Sequence, residues 1–248
     1  MQPAPIEKPD IETSSENYAA RFRGPAGRYF LKVQDSCMSD LLSDPISTVL
    51  DVGGGHGQLT PLFRDRGSLI TNIGSDDSCH RRLRETYGED RIEYCSGDLL
   101  SLPFRDRQFD LVVAVRLISH ITAWDRLVAE LCRVAAKSVI IDYPSVLALN
   151  ALTPLMFKLK RRIEGNTRTY TSFHRHSLGN CFGENGFEVK MARSQFFLPM
   201  FVHRALNGAR PLQIAEAGFK KIGLTHWLGS PVLLRADRRD DNSARPAS

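Results

Sequence analysis

Between Thr48 and Tyr143 short β-branched runs alternate with stretches whose apolar residues fall at helical spacing, and this alternation constrains the fold more than any other feature. The runs are TVLDV (48–52), SLITNIG (68–74), RIEYCSGD (91–98), FDLVVAV (109–115) and KSVIIDY (137–143). Between them, QLTPLFRDR spaces Leu59, Leu62 and Phe63 as one helical face, SCHRRLRETYG closes on Gly88, and WDRLVAELCRVA aligns Trp124, Leu127, Val128, Leu131 and Val134. Such alternation predicts a mostly parallel sheet with right-handed crossovers and helices on both faces. Ligands of such sheets bind beyond the carboxyl ends of the strands.

After Tyr143 the rhythm breaks. Residues 145–177 read as a helix-rich insertion, placed where a substrate cap would sit, before LGNCFGENGFEVKMARSQFF restores a helix, a turn at Gly186 and a strand. A helix near 204–222 and a closing strand, SPVLLRA (230–236), complete the pattern. The expected organisation is one α/β domain built from 18–144 and 178–236, a helical cap over 145–177, and loose tails at 1–17 and 237–248.

The 248 residues, 42% of them hydrophobic, suffice for one large domain. The first eighteen are polar and proline-rich without the apolar stretch of a secretory signal, so a cytoplasmic location is expected. The longest near-apolar segment, VLALNALTPLMF (146–157), is about half of the ~20 residues that a membrane span needs. Five cysteines with no C-x-x-C pair argue against a disulfide framework and a zinc ribbon. A net charge of +5, from 33 basic and 28 acidic residues spread along the chain, selects no partner.

Chemistry concentrates at the tip of the first strand. There the spacing D-x-G-x-G-x-G places Asp51, Gly53, Gly55 and Gly57, and glycine permits positive φ and a close backbone approach to a ligand. The dinucleotide fingerprint G-x-G-x-x-G fails at Gln58, and the G-K-[ST] of a phosphate-binding loop is absent. Asp76 follows the second strand, roughly twenty positions beyond the last motif glycine, where a carboxylate accepts hydrogen bonds from ribose hydroxyls. Asp98 stands just past the third strand. Asp77 and Asp110 read as a helix-start charge and a strand-start residue.

With these residues in place the chain resembles the class I S-adenosylmethionine-dependent methyltransferases, in particular the small-molecule group that includes the ubiquinone and menaquinone enzymes. LDVGGGHGQL resembles that family's first motif, GSDDS its ribose-binding turn, and GDLLSLPFRDRQFDLVVA its adenine-binding turn and fourth strand; the likeness covers about residues 45–145. It implies a Rossmann-like seven-stranded sheet and S-adenosyl-L-methionine as cofactor. By the same resemblance Asp51 with the glycine backbone takes the methionine end, Asp76 the ribose, and Asp98 with the backbone of Leu99 the adenine. Arg116 would touch the cofactor mainly through its main chain. YAARFRGPAGRYF (18–30) resembles the family's cofactor-covering segment, with Arg21 or Arg28 as a partner for the methionine carboxylate. The family's glycine pair before the fifth strand is replaced by RVAAKSVII.

The expected reaction is transfer of a methyl group to a small, apolar, lipid- or quinone-like acceptor, with oxygen favoured as the accepting atom. His120, after the fourth strand, is the first candidate for the base that a hydroxyl acceptor requires, with Asp142 and Tyr143 behind it; packing within the fold is its other reading. His56 faces the cofactor, and His174 and His176 either line a substrate cavity or cap the following helix. No metal site is expected, because no acidic or cysteine partner accompanies that histidine pair. LTPLMFKLKRR (152–162) reads either as an ordinary amphipathic helix on the sheet or as a peripheral contact with anionic lipid at the inner face of the membrane. The turn VRLISH lacks [DN]-P-P-[FY], which disfavours nucleic acid, so an RNA methyltransferase and a non-catalytic S-adenosylmethionine-binding regulator rank behind. The sequence leaves the oligomeric state open.

Overall fold

The computed structural model describes residues 7–42, 45–148 and 171–240. Five strands, β1 (Thr48–Val52), β2 (Leu69–Gly74), β3 (Ile92–Ser96), β4 (Phe109–Ala114) and β5 (Ala135–Tyr143), pair in parallel, and β6 (Phe187–Ser194) and β7 (Val232–Arg238) complete one seven-stranded sheet. The order is β3-β2-β1-β4-β5-β7-β6, with β7 antiparallel to both neighbours. The chain moves outward through β2 and β3, then returns to lay β4 on the other side of β1. A crevice therefore opens at the carboxyl ends of β1 and β4, where the winding reverses.

Both faces of the sheet are covered. On one, α6 (Trp124–Val134) buries Leu127, Val128, Leu131 and Val134 beside Phe182 of α7 (Arg175–Glu184) and Phe187. On the other, Cys37, Met38 and Leu41 of α3 (Gly24–Leu41) meet Leu59 and Phe63 around α4 (Thr60–Asp65). Each large apolar side chain buried in this way contributes about 1.5–3 kcal/mol before the entropy of ordering it is subtracted.

Three expectations change. From Glu7 onward the N-terminal segment read as a loose tail is folded: α1 (Asp10–Thr13) and α2 (Glu16–Ala20) lead into α3, and Asp10, Thr13 and Ser14 are buried. The helix expected near 204–222 is divided into α8 (Met200–Ala205) and α9 (Arg210–Lys221), because Asn207 and Gly208 take φ of 49° and 64°. A short α10 (Leu224–Leu228) precedes β7, which runs to Arg238, past the expected edge of the C-terminal tail. Most of the expected cap, including 152–162, lies outside the described residues; at its margins Ser145 bridges to Phe173 and α7 begins at Arg175.

Candidate functional site

β1 ends at Val52, and the next five residues turn sharply. Gly53 and Gly57 both take φ of 69°, a conformation that a Cβ disfavours. The Gly53 amide donates to the Ile73 carbonyl at 2.8 Å, tying the turn to β2, and the Gly57 amide closes onto Gly54 at 2.9 Å. Asp51 lies beneath, only 2% exposed, and a Cβ on Gly54 would collide with its carboxylate. Among the described residues Asp51 Oδ1 has no hydrogen-bond partner. Burial pushes the Asp51 carboxyl up to about 7, with Asn72 opposing weakly.

Asn72, paired with Asp51 in the parallel register, donates from Nδ2 to the Asp51 carbonyl at 3.4 Å. Its Oδ1 lies 3.0 Å from His80 Nδ1, and His80 Nε2 lies 2.8 Å from the Cys95 carbonyl. This buried polar chain links β1, β2 and β3 under the crevice. Sequence reasoning missed both residues; the one available signal was an amide inside a mostly apolar strand.

Since Gly53 bonds to Ile73 and the Gly97 amide to the Gly74 carbonyl (3.0 Å), the three strand ends step along one edge. Asp76 caps the 3₁₀ turn Asp77–His80, accepting from the Ser78 amide at 3.0 Å, and remains half-exposed beside Lys8 Nζ at 3.8 Å. The Ser78 hydrogen bonds, aided by Lys8, lower its pKa. Asp98 Oδ1 accepts from the Leu100 amide at 2.9 Å and orders the turn in which Leu99 is fully buried. Asp77 pairs with Arg84, and Asp110 holds the Ser47 and Thr48 amides at the start of its strand.

Arg116 is partly buried. It takes φ of 62° directly after β4, and its amide is engaged by Asp142 Oδ1 at 2.5 Å, which leaves main-chain recognition to the carbonyl. Its side chain turns inward: Nη2 donates to Gln34 Oε1 at 2.6 Å, and the guanidinium stacks 4.0 Å from the Phe22 ring. Nη1 is buried with no hydrogen-bond partner among the described residues. Burial, with Arg116 as the next cause, lowers the His56 pKa to about 3, so that imidazole is neutral. Arg21 and Arg28, by contrast, are exposed, and Arg21 pairs with Glu12.

His120 sits half-buried in the turn Ile118–His120, at the mouth of β4. Asp142 is buried with its pKa raised by desolvation to about 6, and Tyr143 is a core ring set edge-on to Phe173. Trp124 also meets Phe173, at 5.3 Å, in the core cluster that packs behind the ends of β4 and β5. His174 and His176 are exposed; His174 makes no side-chain cap, and His176 contacts Asn180. Arg82 and Arg84 are ion-paired with Glu16 and Asp77. Among the described residues no group of acidic, histidine and cysteine side chains is arranged to hold a metal, and no helix is long and apolar enough to cross a membrane.

Residues 50–141 match the methyltransferase domain family. The chain is 29% identical over 103 residues to norajmaline N-methyltransferase of Rauvolfia serpentina, covering 38% of this chain and 35% of that one. It is 32% identical over 110 residues to malonyl-[acyl-carrier protein] O-methyltransferase of Geobacter sulfurreducens, covering 42% and 41%. The likeness thus spans less than half of either relative's length. Among solved structures, an S-adenosylmethionine-dependent methyltransferase of Thermotoga maritima, a possible histamine N-methyltransferase, superposes with a TM-score of 0.62 at 17% identity, covering 93% of this chain and 99% of that one. At that identity the likeness establishes the fold, a Rossmann-like class I methyltransferase sheet.

Proposed function

We propose that this chain, which carries a methyltransferase domain on the class I fold, binds S-adenosylmethionine along the β1–β4 crevice and transfers its methyl group to a small apolar acceptor, with oxygen as the accepting atom. The observation that carries this reading is the convergence of the positive-φ glycine turn, Asp76 and Asp98 on one strand edge, inside the segment that matches the methyltransferase family. The residues fit a cationic cofactor: the buried Asp51 oxygen lacks a partner, and glycines cradle the backbone above it.

When bound, the cofactor supplies a methyl group already activated on a sulfonium centre. The work left to the protein is to orient both reactants and exclude water. Asp51 and the main chain of Gly53, Gly55 and Gly57 hold the amino-acid end, Asp76 the ribose hydroxyls, and Asp98 with the Leu99 backbone the adenine. The inward guanidinium of Arg116, rather than Arg21 or Arg28, takes the carboxylate of the amino-acid end, because its buried Nη1 is the donor left without a partner. His120 accepts the proton of a hydroxyl acceptor. The likeness to norajmaline N-methyltransferase and to malonyl-[acyl-carrier protein] O-methyltransferase supports a small-molecule acceptor class.

The test is transfer of tritiated methyl from S-adenosylmethionine into organic-soluble acceptors. His120→Ala should lower turnover by about 10²-fold or more, the usual scale of general-base catalysis, while leaving cofactor affinity within about two-fold. Unchanged turnover removes His120 from the mechanism. Label that enters RNA alone contradicts the acceptor class, and binding without transfer to any acceptor favours a regulatory protein.

A further inference from the structure

The segment from Glu7 to Ser15 lies across the crevice itself. Asp10 is fully buried there: Oδ2 accepts from the Ser75 amide at 2.7 Å, Oδ1 from the Ser75 hydroxyl at 2.5 Å, and the Cys79 thiol lies 3.4 Å away. Its Cβ is only 3.5 Å from the point where a Cβ on Gly53 would stand. Ser14 packs on Gly55 so closely that a Cβ there would overlap its hydroxyl. Two anchors hold the segment's outer end. Glu7 accepts from the Thr122 and Ala123 amides at 2.7 and 3.3 Å, beside the β4 mouth, and Lys8 pairs with Asp76 on the β2 side.

These contacts fall on the glycine turn, the end of β2 and the ribose carboxylate, the same groups assigned above to the cofactor. We propose that residues 7–15 are a self-docked inhibitory strap, which fills the cofactor crevice and must leave before S-adenosylmethionine enters. The inference rests on the cofactor reading above. Strap and ligand cannot share the volume over Gly53 and Gly55, and Lys8 already engages the carboxylate that the ribose would use. Being covalently attached, the strap competes at high effective concentration without needing strong contacts. The Lys8–Asp76 pair is partly exposed and therefore a weak outer anchor, so the hold of the strap rests mainly on buried Asp10. Apparent cofactor affinity is then reduced in proportion to the fraction of molecules with the strap released.

The experiment is calorimetric titration of S-adenosylhomocysteine into the wild type, Asp10→Ala, and the double variant Glu7→Gln with Lys8→Ala, combined with hydrogen–deuterium exchange. Loosening the strap should tighten binding about ten-fold, the gain expected when a competing closed state is removed. In the wild type the ligand should speed exchange at residues 8–14 and slow it at 53–57. The double variant alters partly exposed side chains and carries the test if Asp10→Ala does not fold. Equal or weaker binding by the variants, or slower exchange at 8–14 on ligand addition, overturns the strap while leaving the cofactor reading intact. Absence of binding by every folded form overturns the cofactor reading and the strap together.

Discussion

Asp51 is a carboxyl group held where water cannot solvate its charge, and its titration follows from that. Its folded pKa, about 7, lies above the unfolded carboxylate value, so the folded state favours the protonated form. The resulting stabilisation is complete below about pH 4 and is lost as pH rises through about 7, the same direction as for Asp142, raised to about 6. Asp51→Asn should therefore flatten the pH dependence, gaining on the order of a few kcal/mol over wild type at pH 8 relative to pH 4 in denaturant unfolding. Parallel stability–pH curves would show that Asp51 is ionised in the fold. Its place at a strand end is legible in TVLDV, where an apolar run stops. Its link through Asn72 to His80 is not, because cross-strand register is set by pairing rather than by local pattern. Arg116 illustrates a second limit: its left-handed backbone and inward guanidinium depend on Asp142, Gln34 and Phe22, which lie far away in the chain.

The glycine turn works as an element because its two positive-φ positions let β1 reverse into α4 above Asp51. Gly53→Ala should cost ~1–2 kcal/mol through the strained φ alone, with a Cβ 3.1 Å from Leu117 adding to it. Urea unfolding would register this as a lower midpoint with an unchanged slope, and a loss under about 0.3 kcal/mol would contradict it. The parallel strands were readable because each is a β-branched run bounded by turn residues. The N-terminal helices were not: α1 and α2 are short and polar, and their burial arises from docking on the crevice rather than from periodicity. The break between α8 and α9 carried a local signal, the Asn-Gly pair at 207–208, which the expected continuous helix passed over.

Across the whole molecule, the glycine turn and the Asp76 and Asp98 turns occupy one edge of the sheet, at the topological switch point. The matched segment, residues 50–141, supplies most of β1, all of β2 to β4 and most of β5, while 171–240 add β6 and β7 and complete the fold. The sequence resemblance reached the first part because its motifs sit at strand tips with fixed spacing. It reached the second only weakly, because covering helices need little more than apolar periodicity. The mild basic excess says little about function, since its charges are spread along the chain. The claim that joins these scales is that the crevice binds S-adenosylmethionine through Asp76. Calorimetric titration of the purified chain with S-adenosylmethionine, beside Asp76→Ala, tests it most directly. Saturable one-to-one binding, weakened at least about ten-fold by the substitution, is the predicted result. A folded wild type that binds no S-adenosylmethionine, or an Asp76→Ala variant that binds it equally well, would contradict the account.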